Sequence, residues 1–248
     1  MTGSDTRTRA MALTIAFVVA AAASAGAADW TLDVYVQEAF PKQTRTNAQI
    51  SEINAVFGTD FEDWDDIHNL SVGAQLFRDV TPRWRLGVEL DYSQGEVAGE
   101  TTVETPAGPA RLEFEQRYSI FADLLAAAHF RPCPDCRFAE PFVLLAAGVA
   151  YEKDRTTLTL RNDFLDEGLR VDHDGWYPVA TAGVGVDVPI SARRTTFLEI
   201  GVAYFWGRLE ETVPMRGSLA PAATVVADTD STGPNYWLGI ACRLGGAR

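Results

Sequence analysis

The segment from Trp84 to Tyr92 constrains the fold of this chain more than any other feature. It reads W-R-L-G-V-E-L-D-Y, in which every second residue is apolar and the residues between are polar or glycine. Successive side chains of an extended strand point to opposite sides, so the alternation predicts a strand with one apolar and one polar face. A shift of one residue in the pairing would exchange the two faces, so the register of this strand is strongly specified.

The same alternation recurs along the chain and predicts about eight strands, an even number that suits small barrels. Their apolar sets lie within 30–36, 70–76, 84–92, 114–130, 143–151, 180–188, 198–206 and 236–244. In the fourth set, Phe114, Tyr118 and Leu124 are placed in one phase. The connections alternate between compact ones, at 79–83, 131–140 and 191–195, and long ones, at 41–66, 94–110, 153–175 and 208–234.

Three further features indicate that the apolar faces point outward. Glycine and alanine crowd the polar faces, which suits a narrow lumen. Aromatic residues cluster at strand ends, as in the two belts at membrane interfaces. Lysine, the residue that usually solvates exposed sheets, occurs only as Lys42 and Lys153. We therefore predict an all-β fold, an eight-stranded antiparallel up-and-down transmembrane β-barrel with short periplasmic turns and long extracellular loops. The alternative is a soluble barrel with an apolar lumen.

In its alternation, its loop asymmetry and its export signal, the chain from Trp30 to Leu244 resembles the small eight-stranded outer-membrane barrels of the OmpA-like type. The resemblance implies residence in the bacterial outer membrane, contact with its lipids and lipopolysaccharide, insertion by the barrel-assembly machinery, and a monomer. That family usually ends in an aromatic residue, whereas this chain ends L-G-G-A-R.

Residues 1–28 are interpreted as a cleaved secretory signal peptide, which leaves 29–248 as the barrel. Arg7 and Arg9 precede an apolar run, and small residues at 23–28 offer cleavage sites. The alternative, an uncleaved anchor, would need about 20 apolar residues, more than this run contains. The formal charge of −13 disfavours nucleic acid as a partner.

The inward polar side chains are the first candidate site. They comprise Arg85, Glu89, Asp91, Arg117, Asp123, His129, Asp187, Glu199 and Arg243. An eight-stranded barrel is only wide enough for side chains to fill, so we expect a network of paired charges that plugs the lumen. The alternative is a narrow, cation-preferring conduit. Inward apolar residues could instead line a pocket for small apolar solutes, and these are Phe77, Phe121, Leu125, Phe142, Leu144 and Phe205.

Two smaller candidates lie in the connections. Cys133 and Cys136 could close a disulfide within a turn of an exported chain. Acidic side chains of the long loops could bind divalent ions weakly, and these are Asp63, Asp65, Asp66, Asp172 and Asp174. No cofactor is expected.

An enzyme of the kind that modifies lipid A would need a histidine beside a serine on one face. His68 and Ser71 come nearest, but their odd spacing sends them to opposite faces. His173 lies in a long loop and His129 points inward. The sequence thus predicts a non-enzymatic barrel with a structural or surface-interaction role. A narrow channel or carrier for small solutes is the second hypothesis, and a lipid A-modifying enzyme is the third.

Overall fold

A computed structural model describes residues 30–64, 69–134, 136–218 and 223–244 of the chain, without the side chains of 44–45 and 119–121. The predicted signal peptide, 1–28, lies outside the described residues. The described part contains one helix, α1 (Thr44–Phe57), and nine strands. The strands are β1 (Trp30–Ala39), β2 (Asn69–Thr81), β3 (Trp84–Thr105), β4 (Gly108–Phe130), β5 (Glu140–Asn162), β6 (Leu165–Pro189), β7 (Thr196–Arg216), β8 (Thr224–Asp230) and β9 (Gly233–Leu244).

Eight of these strands close into a ring. Each of β1 to β6 pairs antiparallel with its successor around the barrel, β7 pairs with β9, and β9 pairs with β1. At the closure, Val34 lies opposite Ala74 on one side and Ile240 on the other. The ninth strand, β8, pairs with the outer half of β7 and continues the line of β9. The predicted antiparallel up-and-down barrel is confirmed.

The outward faces of the strands form an apolar belt. Val36, Val88, Leu145 and Ile200 point away from the lumen and are 44% to 54% exposed. Water would solvate such a surface poorly, whereas acyl chains match it.

Aromatic pairs border the belt at both ends. Trp84 and Phe130 lie 5.0 Å apart at the periplasmic end, and Tyr151 and Trp176 lie 5.1 Å apart at the other, measured between ring centroids. The membrane-spanning segments lie between these two aromatic levels. They comprise 84–92, 122–130, 143–151, 176–188 and 198–206, together with the parts of β1, β2 and β9 at the same height. Within the described residues, no helix is long and apolar enough to cross a bilayer.

The strands continue well beyond the outer aromatic level. A spanning strand needs about 9–11 residues, whereas β3 has 22, β4 and β5 have 23 and β6 has 25. The stretches predicted as long loops at 94–110 and 153–175 are therefore β-hairpins that prolong the barrel wall. The prediction of loop structure there was wrong because alternation continues above the belt with weaker apolar character.

A bulge in β4 reverses its faces at the outer membrane boundary. The pairing of β4 with β5 shifts between Tyr118 and Ile120. An extra residue in one strand exchanges inside and outside beyond it. Consequently Phe114 and Tyr118 are buried inside, and Arg117 is outside with its side chain 44% exposed. Placing Arg117 in the lumen network, and Phe114 and Tyr118 in the outward set, was wrong.

The first long connection folds into the outer mouth of the barrel. Ile50 of α1, with Phe61 and Trp64 from the segment that follows, packs against inward side chains of the extended hairpins, among them Leu112 and Phe114. Phe61 stacks on Phe114 with ring centroids 5.8 Å apart. We call α1 with residues 58–64 the plug. It gives the part outside the membrane a hydrophobic core of its own.

Candidate functional site

The lumen is built in layers, and the layer nearest the periplasm centres on Glu140. This carboxylate is fully buried and accepts hydrogen bonds of 2.6 Å from both Arg194 Nη2 and Arg243 Nη2. Arg131 Nη1 lies 3.7 Å from it. Arg243 also stacks over the ring of Phe197, 4.4 Å from its centroid. Several cations around one carboxylate offset the cost of burying it.

Arg85 belongs to the same layer, and its partner Asp187 lies beside Glu140 in the ladder of β5 and β6. Its Nη1 donates to Asp187 Oδ2 at 3.0 Å and its Nε to Asp79 Oδ1 at 3.2 Å. Arg131 Nη2 reaches the same oxygen of Asp79 at 3.0 Å. The structure thus brings together Arg85, Asp187 and Arg243, as the sequence indicated. It adds Asp79, Arg131, Glu140 and Arg194, which the strand pattern missed because they lie in or beside turns.

Aromatic rings form the next layer. His129 is fully buried and lies between Phe77 and Phe142, with centroid distances of 4.1 Å and 4.4 Å. Phe142 in turn lies 6.4 Å from Trp237. Neither ring nitrogen of His129 has a hydrogen-bond partner in the described structure. We call Phe77, His129, Phe142 and Trp237 the aromatic floor.

Glycines of the facing strands make room for the floor. A Cβ at Gly185 would lie 2.4 Å from Phe142 Cζ, and one at Gly201 would lie 2.1 Å from Trp237 Cζ2. These contacts are far shorter than van der Waals separation, so both positions require glycine. The inward glycines noted in the sequence therefore serve to admit large rings into a narrow lumen.

Buried carboxylates accompany the floor. Trp237 Nε1 donates to Glu199 Oε1 at 2.7 Å. Asp33, buried within this region, has no hydrogen-bond partner on either carboxylate oxygen among the described residues. Glu199 lies in the lumen as predicted, whereas Asp33 was not singled out in the sequence although its phase is inward.

A second group of carboxylates lies above the floor. The Tyr35 hydroxyl is 2.9 Å from both Glu89 Oε1 and Asp91 Oδ2. The backbone N–H of Asp91 donates to Asp123 Oδ1 at 3.2 Å. Glu152, which was not singled out in the sequence because it falls between the strand set at 143–151 and the connection at 153–175, accepts from the Tyr177 hydroxyl at 3.0 Å.

A cavity separates these carboxylates from residues 40–43, which lie between β1 and α1. Its volume is about 70 Å³, which is enough for several waters. Its walls include all four carboxylates of this group together with apolar side chains such as Leu125 and Phe205. Just below it, beside Tyr35 and Trp237, the corresponding space shrinks to about 10 Å³. The lumen therefore contains a cavity between the plug and the aromatic floor and is filled below it.

The predicted apolar pocket is divided among these layers. Phe77, Phe142 and Leu144 are packed in the filled part, and Leu125 and Phe205 line the cavity. The side chain of Phe121 lies outside the described part of the structure.

The acidic side chains of the predicted divalent-ion loops do not converge. Asp172 accepts from Arg155 at 2.9 Å and from Arg170 at 2.6 Å, and these hydrogen bonds, that of Arg170 first, hold its pKa below the usual value. Asp174 accepts from the Tyr151 hydroxyl at 3.3 Å. Asp63 lies in the plug, and Asp65 and Asp66 are outside the described residues. Among the residues the structure does describe, no group of three or more potential ligands could hold a metal ion.

The periplasmic connection between β4 and β5 contains a disulfide between Cys133 and Cys136. The third cysteine, Cys242, is a free thiol on β9.

The two described histidines, His129 and His173, are both buried. His129 is enclosed in the floor, and His173 is buried beside Glu211, with 3.7 Å between Nε2 and Oε2. Neither is hydrogen-bonded to a serine among the described residues. His68, the partner proposed for Ser71, lies outside them.

Comparison with known proteins gives similarity of structure alone. No protein-family model matches the chain, and no curated protein sequence matches it. A major outer membrane protein from Thermus thermophilus is 10% identical with a TM-score of 0.45, over 87% of this chain and 99% of that one. OprG from Pseudomonas aeruginosa is 15% identical with a TM-score of 0.45, over 89% and 97%. The outer membrane protease OmpT from Escherichia coli is 8% identical with a TM-score of 0.39, over 88% and 96%.

The closed ring of strands, the apolar belt and the two aromatic levels together define the class. The protein is a transmembrane β-barrel of the bacterial outer-membrane type. Its particular features are a filled inner lumen, an acidic outer cavity and a folded plug.

Proposed function

We propose that this protein is a non-enzymatic outer-membrane barrel that does not conduct and that acts by presenting a rigid surface outside the membrane. The observation that carries the proposal is the filling of the inner lumen. The aromatic floor and the ion pairs around Glu140 and Arg85 leave space of about 10 Å³ beside Tyr35 and Trp237, room for no more than one water.

The surface role is supported by how the outer hairpins are built. Cross-strand ion pairs link the hairpin strands on the outside, such as Arg117 to Glu96 at 3.3 Å and Arg161 to Asp166 at 2.8 Å. Exposed pairs of this kind each contribute about 0–1 kcal/mol. The larger stabilisation comes from the plug, whose apolar side chains fill the space between the hairpins. A surface ordered in advance loses little conformational entropy when it meets a partner.

The proposal includes contact with lipopolysaccharide and a monomeric state, with insertion by the barrel-assembly machinery. Basic side chains occur just above the outer aromatic level, where lipid phosphates lie, and Arg117, Lys153 and Arg155 are exposed there. Guanidinium groups suit phosphate because they donate in a fixed fork.

The test is electrical recording from the purified, folded protein in planar bilayers, with a liposome-swelling assay alongside. We expect no conductance steps and no faster uptake of small sugars or amines than in empty membranes. Reproducible steps from the native protein would contradict the proposal. A heat-dependent change in gel migration verifies that each preparation is folded.

One observation favours the second hypothesis, a carrier for small solutes. Between 172–178 of β6 and 208–214 of β7, a stretch described throughout, no ladder pair joins the two strands. Leu209 fills this interruption and lies against Gly175, where an added Cβ would be 2.9 Å from Leu209 Cδ2. If swelling were found without conductance, and Leu209→Trp abolished it, the carrier hypothesis would replace the first.

A further inference from the structure

We propose that the outer cavity of the lumen is a binding site for a small organic ammonium ion. The inference goes beyond the surface role, because it concerns the space between the aromatic floor and the plug.

The first support is the charge of the walls. Glu89, Asp91, Asp123 and Glu152 line the cavity and are each only 3% to 5% exposed. None of the described residues that line it is a lysine, an arginine or a histidine. The charged layer nearest the periplasm differs, since there Glu140 and Asp187 pair with arginines. A group of buried carboxylates without a cation is costly, and a bound cation would offset that cost.

The second support is a set of acceptor atoms that lack donors among the described residues. Glu89 Oε2 and Asp91 Oδ1 have no hydrogen-bond partner there, although the other oxygen of each lies near the Tyr35 hydroxyl. Asn235 Oδ1 and Ser71 Oγ, also buried in this wall, lack partners too. An ammonium group carries three donors and no acceptor, which matches this set.

The rest of the lining determines the kind of cation. Leu125 and Phe205 contribute apolar surface to the same walls, and Leu125 lies beside Glu89 in the ladder of β3 and β4. The described acidic residues do not form a group that could hold a metal ion. An alkylammonium ion suits both kinds of lining, because its charged end meets the carboxylates and its short chain meets the apolar side chains beside them.

The site is closed below and bordered above. The aromatic floor lies beneath it, so a bound ion would have no open path to the periplasm. The segment from Phe40 to Gln43 forms its roof, held by hydrogen bonds of 2.9 Å from Phe40 N to Pro234 O and from Lys42 N to Thr232 O.

The experiment measures binding of n-butylammonium to the full folded protein in detergent micelles at neutral pH by titration calorimetry. 1-Butanol serves as the neutral analogue and corrects for partition into micelles. The test variant is Glu89→Gln with Asp91→Asn, and the control is Glu104→Gln, which removes an exposed carboxylate of the hairpin. Ser71→Leu provides a second variant, which fills the cavity without changing its charge.

We expect n-butylammonium but not 1-butanol to bind the native protein. Loss of hydrogen bonds to a charged group predicts binding about tenfold or more weaker in the double variant. Ser71→Leu should also weaken binding, because its side chain occupies the cavity, and Glu104→Gln should leave binding unchanged. If the double variant does not fold, as judged by heat-dependent gel migration, Ser71→Leu decides.

Three outcomes would overturn the inference. The first is no binding to the native protein, which would mean that protons alone neutralise the carboxylates. The second is equal binding to native protein and cavity variants, which would indicate general attraction to a chain of net charge −13. The third is displacement of n-butylammonium by potassium or magnesium but not by sodium at the same ionic strength. Such displacement would assign the site to an inorganic cation.

Discussion

Asp154 shows how a single side chain outside the membrane couples the plug to the barrel wall. Gln116 Nε2 donates to Asp154 Oδ2 at 3.4 Å, and Trp64 Nε1 of the plug donates to Gln116 Oε1 at 2.9 Å. Burial raises the pKa of Asp154 to about 6. Because the folded pKa lies above the unfolded one, ionisation disfavours the folded state. Its contribution to the free energy of unfolding therefore falls as pH rises from about 4 to about 6.

We predict that Asp154→Asn stabilises the protein at pH 8 and not at pH 4. A shift of about two pKa units sets an upper limit of about 3 kcal/mol, so we expect a gain of about 1–3 kcal/mol at the higher pH. Urea unfolding in detergent micelles at both pH values measures it. Asp166→Asn, at an exposed pair with Arg161, is the matched control and should change stability little at pH 8. A gain of equal size at both pH values for Asp154→Asn would show that ionisation is not the cause.

At the scale of elements, the plug depends on a close approach between Phe61 and β3. A Cβ at Gly99 would lie 2.1 Å from Phe61 Cδ1, so any larger residue there must push the ring away. We predict that Gly99→Val releases the plug while the membrane-spanning barrel stays folded. Limited chymotrypsin digestion should then cut within 41–64 at sites that are protected in the native protein.

Gly168→Val is the control for that substitution. Gly168 is also a strand glycine outside the membrane, but its added Cβ would meet nothing nearer than Leu158 O at 3.9 Å among the described residues. It should leave the digestion pattern unchanged. Resistance of Gly99→Val equal to that of the native protein would contradict the packing of Phe61 described here.

The alternation of apolar and polar residues predicted correctly those strand segments that have one face toward lipid. The strand from Trp84 to Tyr92 and its neighbours were placed in the correct phase because a slip would bring charges to the bilayer. The bulge near Ser119 was not predictable from alternation, which assumes an unbroken period of two, and Arg117 was misplaced for that reason. Helix α1 was not predicted, although Ile50, Ile53 and Phe57 have helical spacing, because the whole of 41–66 was interpreted as one long connection between strands.

At the scale of the whole molecule, two hydrophobic cores meet across the acidic cavity. One core fills the inner lumen and the other joins the plug to the outer hairpins. The register shifts of β3 and β4, at 93–95 and 118–120, lie at the level between the two cores.

The positions of the charged residues in the lumen were largely predictable from the sequence, because they follow from the inward phase of each strand. Their division into a paired layer and an unpaired layer was not, because the pairing depends on turn residues such as Arg131 and Arg194.

This arrangement assigns closure of the lumen to the aromatic floor and not to the plug. We predict that Phe77→Ala with Phe142→Ala produces conductance steps in planar bilayers, where the native protein gives none. Removing both rings would expose His129 to water and let the ion pairs around Arg85 and Glu140 exchange partners in a hydrated space. Phe61→Ala, which removes a ring from the plug alone, is the control and should remain silent. Heat-dependent gel migration verifies folding, because each truncation of a buried ring costs about 3–5 kcal/mol. A silent, folded double variant would show that the charged layer closes the lumen by itself, and conductance in Phe61→Ala would assign closure to the plug.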